Sequence, residues 1–272
     1  MIGLLDSGVG GLSVWRHVRA LLPQEDLIYV ADQAHVPYGS KPETAVRRFT
    51  EGITHFLRAR GADLIVIACN TASAAALTWL RQTYPDIPFV GMEPAVKPAA
   101  RQTRSGQVGV MATAGTFGSE RYASLMRRFA SNITVHEDPC AGLVELIEAG
   151  ALETPAMRLR LRAILAPMLA QGVDTVVLGC THYPFVRREI EAVAAELAPQ
   201  ARPLAVIDPA PAVARQAARV LAGLHGRAPA AGTTQLLTTG DPVEMARLVA
   251  RLLDETHPVA AARWVNGRLV AG

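Results

Sequence analysis

The sequence has few lysines and few aromatic residues, and it lacks any concentration of charge. Its only lysines are Lys41 and Lys97, so almost all of its basic residues are arginine. The formal net charge of +3 is small for 272 residues, and like charges do not form a run. A surface that binds nucleic acid is therefore not indicated.

Cysteine is also scarce, and its spacing excludes two common uses. Cys69, Cys140 and Cys180 form an odd, widely spaced set without a Cys-x-x-Cys pair, so neither a zinc site nor a disulfide framework is predicted. The N-terminus carries no secretory signal, and no apolar run is long enough to span a membrane. We expect a cytoplasmic protein with reduced thiols and no membrane partner.

What the sequence does contain is an alternation of short apolar runs and longer segments with helical periodicity. This alternation predicts an α/β fold with mainly parallel sheets, in which ligands bind at the carboxyl ends of the strands. The predicted strands are Ile2–Leu5, Leu27–Val30, Leu64–Ala68, Phe89–Gly91, Gln107–Met111, Thr175–Gly179 and Ala205–Ile207. Polar residues follow several of them, which places candidate site residues at one sheet edge.

Two stretches of the chain resemble each other. Residues 61–71 and 172–182 both run from Gly-x-Asp through an apolar strand and a small residue to a cysteine, Cys69 in one and Cys180 in the other. A weaker similarity links residues 2–7 with residues 108–113. The pattern predicts two pseudo-symmetric lobes with one strand-end cysteine each. The alternative is chance, because Gly-x-Asp before a valine-rich run is common in α/β proteins.

Proline-rich segments indicate where the chain crosses between the lobes. The first crossing is predicted at Pro94–Pro98, followed by polar residues 101–105, and the return is predicted at Leu204–Pro211. Lobe 1 then consists of residues 1–95 and 208–272 and carries Cys69. Lobe 2 consists of residues 96–207 and carries Cys180. C-terminal helices, including Pro242–Leu253, complete lobe 1.

Two opposed cysteines suit a reaction that removes a proton from one face of a carbon and returns one to the other face. A thiol has an ordinary pKa of about 8.5, so it acts as a base at neutral pH only if its thiolate is stabilised. A helix N-terminus provides such stabilisation. Both Cys69 and Cys180 precede a helix-like segment, so they are predicted to act as general base and general acid. The alternative for either residue alone is a buried, inert cysteine, which is our interpretation of Cys140.

A pyridoxal phosphate enzyme is the natural competitor, but it needs a lysine for its Schiff base. Lys41 precedes a proline in a loop and Lys97 lies in the predicted crossing, so a reaction without cofactor or metal is favoured. The glycine-rich turn Asp6–Gly11 has Ser13 where a dinucleotide fingerprint needs glycine. Its backbone amides are suited to a carboxylate, although a plain tight turn is equally compatible with the pattern.

Four motifs in order resemble the glutamate racemase family across nearly the whole chain. They are Asp6-Ser7-Gly8-Val9-Gly10-Gly11-Leu12, Asp32-Gln33-Ala34-His35-Val36-Pro37-Tyr38-Gly39, Ala68-Cys69-Asn70-Thr71-Ala72 and Leu178-Gly179-Cys180-Thr181-His182-Tyr183-Pro184. The resemblance implies two flavodoxin-like lobes with the active site in the cleft between them. It also implies a homodimer that interconverts L- and D-glutamate and supplies D-glutamate for peptidoglycan.

The resemblance further implies roles for individual residues. Cys69 matches the base toward D-glutamate and Cys180 the base toward L-glutamate. The matching supporting residues are Asp6, Asp32, Glu148 and His182, and the matching substrate contacts are Asp6, Ser7, Tyr38, Gly39, Asn70, Thr71, Thr113, Thr116, Thr181 and His182. Near Glu148 the sequence reads Pro139-Cys140-Ala141 where relatives usually have Cys-Pro. Met92-Glu93-Pro94 also differs from the sequence most common in the family.

Other functions remain open at this point. Aspartate racemases tend to carry Cys-Thr-Glu at the second cysteine, whereas this chain has Cys180-Thr181-His182, which favours glutamate. Relatives with one cysteine, such as arylmalonate decarboxylase, are disfavoured because both cysteines are present. A non-catalytic amino-acid-binding protein of the same fold is the alternative from another class, although it has no need for a thiol on both sides of its ligand.

Overall fold

The computed structural model describes residues 1–200, 202–224 and 231–272. The chain divides into two compact units, one formed by Met1–Met92 with Ala210–Gly272 and the other by Glu93–Pro209. Among the described residues, no helix combines the length and the apolar character needed to cross a bilayer.

Strands and helices alternate along the chain. The strands are β1 Ile2–Asp6, β2 Leu27–Ala31, β3 Leu64–Ile67, β4 Phe89–Gly91, β5 Gln107–Met111, β6 Thr134–Asp138, β7 Thr175–Leu178, β8 Ala205–Ile207, β9 Thr234–Thr238, β10 Val259–Val265 and β11 Arg268–Ala271. The helices are α1 Leu12–Leu21, α2 Glu43–Ala59, α3 Asn70–Thr83, α4 Val96–Gln102, α5 Ala114–Phe117, α6 Glu120–Phe129, α7 Leu143–Glu148, α8 Pro155–Ala170, α9 Arg187–Leu197, α10 Ala210–Ala222 and α11 Pro242–Leu253.

Each unit is built on one sheet. The first unit has a seven-stranded sheet in the order β11-β10-β9-β2-β1-β3-β4, and the second has a four-stranded sheet in the order β6-β5-β7-β8. All described strand pairs are parallel except β10 with β11. The prediction of an α/β fold with mainly parallel sheets is confirmed.

The similarity between the two halves of the sequence is also a similarity of topology. The strand order β2-β1-β3-β4 of the first unit repeats as β6-β5-β7-β8 in the second. Gly61 before β3 and Gly172 before β7 both adopt a positive φ, +82° and +79°. Cys69 and Cys180 each lie two residues beyond the equivalent strand, β3 or β7. Equivalent strands of the two sheets therefore end at a thiol.

The core of the first unit explains why its helices cover the sheet. In α2, apolar residues at helical spacing are buried, among them Val46, Phe49, Ile53 and Leu57. They pack in one cluster with strand residues and with Cys69. Burial of each large apolar side chain contributes roughly 1.5–3 kcal/mol, so this cluster holds the strand end that bears Cys69.

All seven predicted strands are present, with ends within one residue of the prediction. The structure adds four strands that were not predicted, β6, β9, β10 and β11. Part of the predicted first crossing, residues 96–102, is the helix α4 rather than a plain connection. The predicted return at Leu204–Pro211 contains β8 and the start of α10. The helix predicted at Pro242–Leu253 is present with those bounds.

Candidate active site

Cys69 lies at the start of a regular helix. β3 ends at Ile67, and Cys69 is the N-cap of α3, with an extended backbone at φ −139° and ψ 124°. Its Sγ accepts a hydrogen bond from the Ala72 backbone N–H at 3.4 Å and lies 3.9 Å from Ser7 Oγ. The side chain is only 5% exposed. The N-terminus of a helix is where a negatively charged sulfur is best accommodated.

Cys180 has different surroundings, although it occupies the equivalent position after β7. The segment that follows it is a short 3₁₀ turn at Tyr183–Val186, and α9 begins only at Arg187. Tyr183 is the residue equivalent to Ala72, and its backbone N–H donates to the Cys180 carbonyl at 3.2 Å. Instead, the Cys180 Sγ lies 3.6 Å from the His182 Nδ1. A side chain therefore supports this thiol where a helix N-terminus supports Cys69.

His182 connects Cys180 to Glu148. Its ring is 2% exposed, and its Nε2 lies 2.7 Å from Glu148 Oε1. Burial by itself lowers the pKa of His182, but the hydrogen bonds with Cys180 and Glu148 outweigh burial and raise that pKa well above its usual value. Cys180, His182 and Glu148 thus form a hydrogen-bonded line, which we call the Cys180 relay.

Glu148 was the site residue with the weakest support from sequence. The local sequence around Glu148 predicts only a solvent-exposed helix residue. The unusual Pro139-Cys140-Ala141 segment also lies shortly before it. In the structure it ends α7, and its side chain is 12% exposed. The signal that points to Glu148 is the alignment with the family motif, since no local pattern distinguishes it.

Cys140 is buried but points to a structural use. Its backbone adopts a positive φ of 49°, its N–H donates to Asp138 Oδ1 at 2.7 Å, and its thiol donates to the Asp138 carbonyl at 3.3 Å. Burial, followed by the charge of Asp138, raises the pKa of the Cys140 thiol well above its usual value. Cys140 therefore stays a neutral thiol in a tight turn.

The glycine-rich turn after β1 fixes Asp6 and Ser7. Asp6 ends the strand and is fully buried, and its Oδ2 accepts the Gly8 N–H at 3.0 Å. The Tyr29 hydroxyl donates to the Gly8 carbonyl at 2.7 Å. A Cβ on Gly11 would lie 2.8 Å from the Asp6 Cβ, so glycine is required there for the turn to close against the strand.

Asp32 is a buried carboxylate saturated by side-chain donors. Its Oδ2 accepts the Tyr38 hydroxyl at 2.7 Å and faces His35 Nδ1 at 2.9 Å. Its Oδ1 accepts Thr239 Oγ1 at 2.8 Å and Trp264 Nε1 at 2.7 Å. Sequence reasoning missed both Thr239 and Trp264, because no short motif links residues so far apart in the chain. Tyr38 and Gly39 lie in the 3₁₀ turn that this carboxylate anchors.

The remaining predicted substrate contacts are hydroxyl and amide groups, all buried except the half-buried Thr113. Asn70 follows Cys69, and neither atom of its buried amide group has a hydrogen-bond partner within the described chain. A buried polar group without a partner indicates a missing one, such as a ligand. Thr71, Thr116 and Thr181 are buried, and Thr113 Oγ1 lies 3.2 Å from Thr116 Oγ1. Among the described residues, no cluster of His, Cys, Asp or Glu side chains is suited to a metal ion.

Fold and side chains together define an α/β protein with two sheets of related topology and a buried strand-end thiol in each. The chain matches the Asp/Glu/Hydantoin racemase family over residues 12–217. It is 53% identical over 249 residues to a glutamate racemase of Pseudomonas aeruginosa, covering 91% of this chain and 92% of that protein. The chain therefore belongs to the Asp/Glu/hydantoin racemase family, and the resemblance noted from its four motifs is confirmed.

Solved structures agree with this assignment. A glutamate racemase isoform from Bacillus anthracis superposes with a TM-score of 0.84 at 29% identity, covering 98% of each chain. The glutamate racemase of Escherichia coli, solved in complex with L-glutamate and the activator UDP-MurNAc-ala, gives a TM-score of 0.81 at 34% identity, covering 96% of this chain and 97% of that one.

Proposed function

We propose that this protein is a glutamate racemase that interconverts L- and D-glutamate with Cys69 and Cys180 and without a cofactor. The observation that carries the proposal is the equivalent placement of the two thiols. Each is buried and lies two residues beyond the same strand of a repeated sheet topology. Each also has a polar partner that suits an acid or base, the Ala72 N–H for Cys69 and the His182 ring for Cys180.

In the proposed reaction the two thiols work on opposite faces of one α-carbon. The Cys180 thiolate removes the α-proton of L-glutamate, and the electron pair of the broken C–H bond is left on the substrate. The Cys69 thiol then donates its proton to the other face, which gives D-glutamate and leaves Cys69 as the thiolate. The reverse reaction begins with that thiolate, so each cysteine serves as general base in one direction and general acid in the other.

Supporting residues divide between the two thiols in this proposal. His182 and Glu148 hold Cys180 through the relay, and Asp6 lies in the turn whose Ser7 is close to Cys69. Asp32 is a positioning residue, since its carboxylate is saturated. The proposed substrate contacts are Ser7, Tyr38, Gly39, Asn70, Thr71, Thr113, Thr116, Thr181 and His182, with the unpaired amide of Asn70 as the strongest candidate.

Glutamate is the proposed substrate because the curated relatives are glutamate racemases. The Escherichia coli structure holds L-glutamate together with an activator that carries a UDP-MurNAc-ala group. We accordingly propose that the product D-glutamate supplies peptidoglycan synthesis. The three cysteines are buried and form no disulfide, which fits a reducing compartment, so we place the reaction in the cytoplasm. The proposal includes a homodimer, which sedimentation velocity would test.

The lysines support a route without pyridoxal phosphate. Lys97 is exposed on α4, with its Nζ 5.3 Å from the centre of the Phe129 ring. Lys41 follows the Tyr38–Ser40 turn. Neither lysine follows a strand end, where the predicted site residues are concentrated, so neither is well placed to hold such a cofactor over the thiols.

The decisive experiment measures exchange of the substrate α-proton with solvent deuterium, using reduced protein without added cofactor. Each enantiomer of glutamate is compared with each enantiomer of aspartate. Exchange from both enantiomers of glutamate supports the proposal, whereas exchange from aspartate alone would indicate an aspartate racemase. No exchange from any of the four would favour an amino-acid-binding protein.

Cysteine variants test the two-thiol mechanism. Cys69→Ser and Cys180→Ser should each lower racemisation by at least about 100-fold, the usual scale of general acid–base catalysis. Cys140→Ala is the matched control, because it also removes a buried thiol but should leave the rate within about twofold. Equal loss in all three variants would contradict the assignment.

A substrate with a leaving group on its β-carbon separates the two faces, since elimination needs only one base. Cys69→Ser retains Cys180 and should eliminate from the L enantiomer alone. Cys180→Ser retains Cys69 and should eliminate from the D enantiomer alone. Elimination from both enantiomers by either variant would show that the cysteines do not serve separate faces.

A further inference from the structure

Asp32 is held by a residue that lies far from every motif in the sequence. Trp264 lies on β10 near the end of the chain, and its Nε1 donates to Asp32 Oδ1 at 2.7 Å across 232 positions of sequence. The bond is directed at a carboxylate that is fully buried. Hydrogen bonds to a buried charge are among the strongest in a protein, so this one fixes the orientation of the Asp32 side chain.

The indole ring of Trp264 is seated by its own packing. A Cβ on Gly52 of α2 would lie 2.6 and 2.7 Å from two atoms of that ring, so the helix approaches it closely at a residue without a side chain. The ring centre is 5.5 Å from His35 in an edge-on arrangement and 6.0 Å from Phe49. The indole therefore has little freedom to turn away from Asp32.

The hydrogen bonds of Asp32 also extend from Trp264 toward Cys69, through Tyr38. The Tyr38 hydroxyl donates to Asp32 Oδ2 at 2.7 Å. Burial, and after it the charge of Asp32, raises the pKa of Tyr38 well above its usual value, and Cys69 and Asp6 contribute to that rise. Tyr38 and Cys69 pack in the same buried cluster. The Tyr38–Gly39 turn is thus fixed beside the thiol by a carboxylate that Trp264 orients.

We infer that Trp264 is a positioning residue for the Cys69 half of the site, acting through Asp32 on the turn that carries Tyr38 and Gly39. The inference rests on the proposed function and deepens it. Trp264 donates to Asp32 and packs against His35 and Phe49. It orients Asp32, Asp32 orients Tyr38, and the turn presents its backbone to the substrate.

Trp264→Phe tests this role, because it keeps an aromatic ring over Gly52 and removes only the indole N–H. With glutamate we expect KM to rise about threefold to tenfold while kcat changes by less than about twofold, the scale expected for one lost hydrogen bond to a charged group. Trp79→Phe is the matched control, since Trp79 is a partly buried tryptophan of the same unit. Equal KM values in the two variants would overturn the inference.

A double-mutant cycle distinguishes a positioning role of Trp264 from a nonspecific loss of packing around it. If Trp264 acts through Asp32 on Tyr38, the effects of Trp264→Phe and Tyr38→Phe on KM should be clearly less than additive. Additive effects would overturn the inference. Gly52→Ala provides a second route, because it keeps the indole but displaces the ring from α2. It should raise KM in the same direction, and an unchanged KM would count against the role.

A measurement without substrate distinguishes failure of this inference from failure of the proposed function. In a ¹⁵N spectrum of the tryptophan indoles, Trp264→Phe identifies the Trp264 signal by its loss. Tyr38→Phe should shift that signal and leave those of Trp15 and Trp79 in place. An unshifted Trp264 signal would overturn the network even if the protein racemises glutamate. A shifted signal supports the network even if glutamate is not the substrate.

Discussion

Individual residues show that the two thiols are supported by different means. Cys69 uses the N-terminus of α3 and the Ala72 N–H. Cys180 is supported by the imidazole of His182, which is itself hydrogen-bonded to Glu148. A helix N-terminus is a fixed partial charge, whereas an imidazole changes charge with pH. The surroundings of the two thiols should therefore respond differently to pH.

The raised pKa of His182 gives a prediction for stability. Free histidine titrates near pH ~6.5, so the stabilisation from the His182–Glu148 pair is fully present below that pH and is lost as the pH rises through the raised folded value. Glu148→Gln removes one cause of the rise. The difference in unfolding free energy between wild type and variant should shrink as the pH increases from about 6 to about 10.

Urea unfolding at a series of pH values measures this difference. Glu145→Gln is the control, because Glu145 is an exposed carboxylate on the same helix α7. It should change stability by less than about 0.5 kcal/mol at every pH, as is usual for exposed positions. A Glu148→Gln difference that stays constant or grows with pH would contradict the raised pKa of His182.

At the scale of elements, prediction from sequence succeeded where a strand is apolar and failed where it is not. β3 and β7 are continuous buried runs and were found to within a residue. β6 was missed because its sequence Thr-Val-His-Glu-Asp is polar and none of its residues is fully buried. β11 is an edge strand and β10 is its neighbour, and both lack a strong apolar face. Edge strands carry little of the signal on which such predictions depend.

The same limit applies to the candidate site. Residues that follow apolar strands, such as Cys69 and Cys180, could be predicted because a strand end is a local pattern. The partnership of Asp32 with Trp264 joins the residue after β2 to β10, a strand that was itself not predicted. Contacts between distant segments depend on the completed sheet order, which one sequence does not contain.

The end of β7 gives a prediction at this scale. A Cβ on Gly179 would lie 2.8 Å from both the Ala112 Cβ and the Met111 carbonyl oxygen. Since backbone cannot yield as a flexible side chain can, Gly179→Ala should lower the unfolding free energy by about 1–3 kcal/mol and reduce activity by displacing Cys180.

Gly118→Ala is the matched control for this substitution, because its Cβ would meet nothing closer than 3.5 Å and its φ of −70° suits alanine. Stability there should stay the same or rise by up to about 1 kcal/mol. Denaturant unfolding measures the unfolding free energy of both variants. An equal change in the two would contradict the close approach at Gly179.

On the scale of the whole molecule, the two units differ in how the chain builds them. The unit Glu93–Pro209 is continuous, whereas the first unit needs both Met1–Met92 and Ala210–Gly272. β2 pairs with β9 and α1 packs against α10. The N-terminal segment therefore lacks partners for a central strand and for a helix until the end of the chain is present.

Fragments should reflect this difference. A fragment of residues 93–209 contains a whole four-stranded sheet with its own buried cluster, so we expect cooperative thermal unfolding by circular dichroism. A fragment of residues 1–92 should show no cooperative transition, because a central strand is left with an open edge. Independent folding of the shorter N-terminal fragment would contradict this account.

The unequal support of Cys69 and Cys180 has a limit set by thermodynamics. L- and D-glutamate have the same free energy in water, and both directions pass through the same transition states. The ratio kcat/KM measures the transition state against free enzyme and free substrate, so it must be equal for the two enantiomers under every condition and in every variant. The helix N-terminus at Cys69 and the imidazole at Cys180 can still give the two enantiomers different kcat values, provided that their KM values differ by the same factor. These differences cannot make the enzyme favour one enantiomer of its substrate at equilibrium.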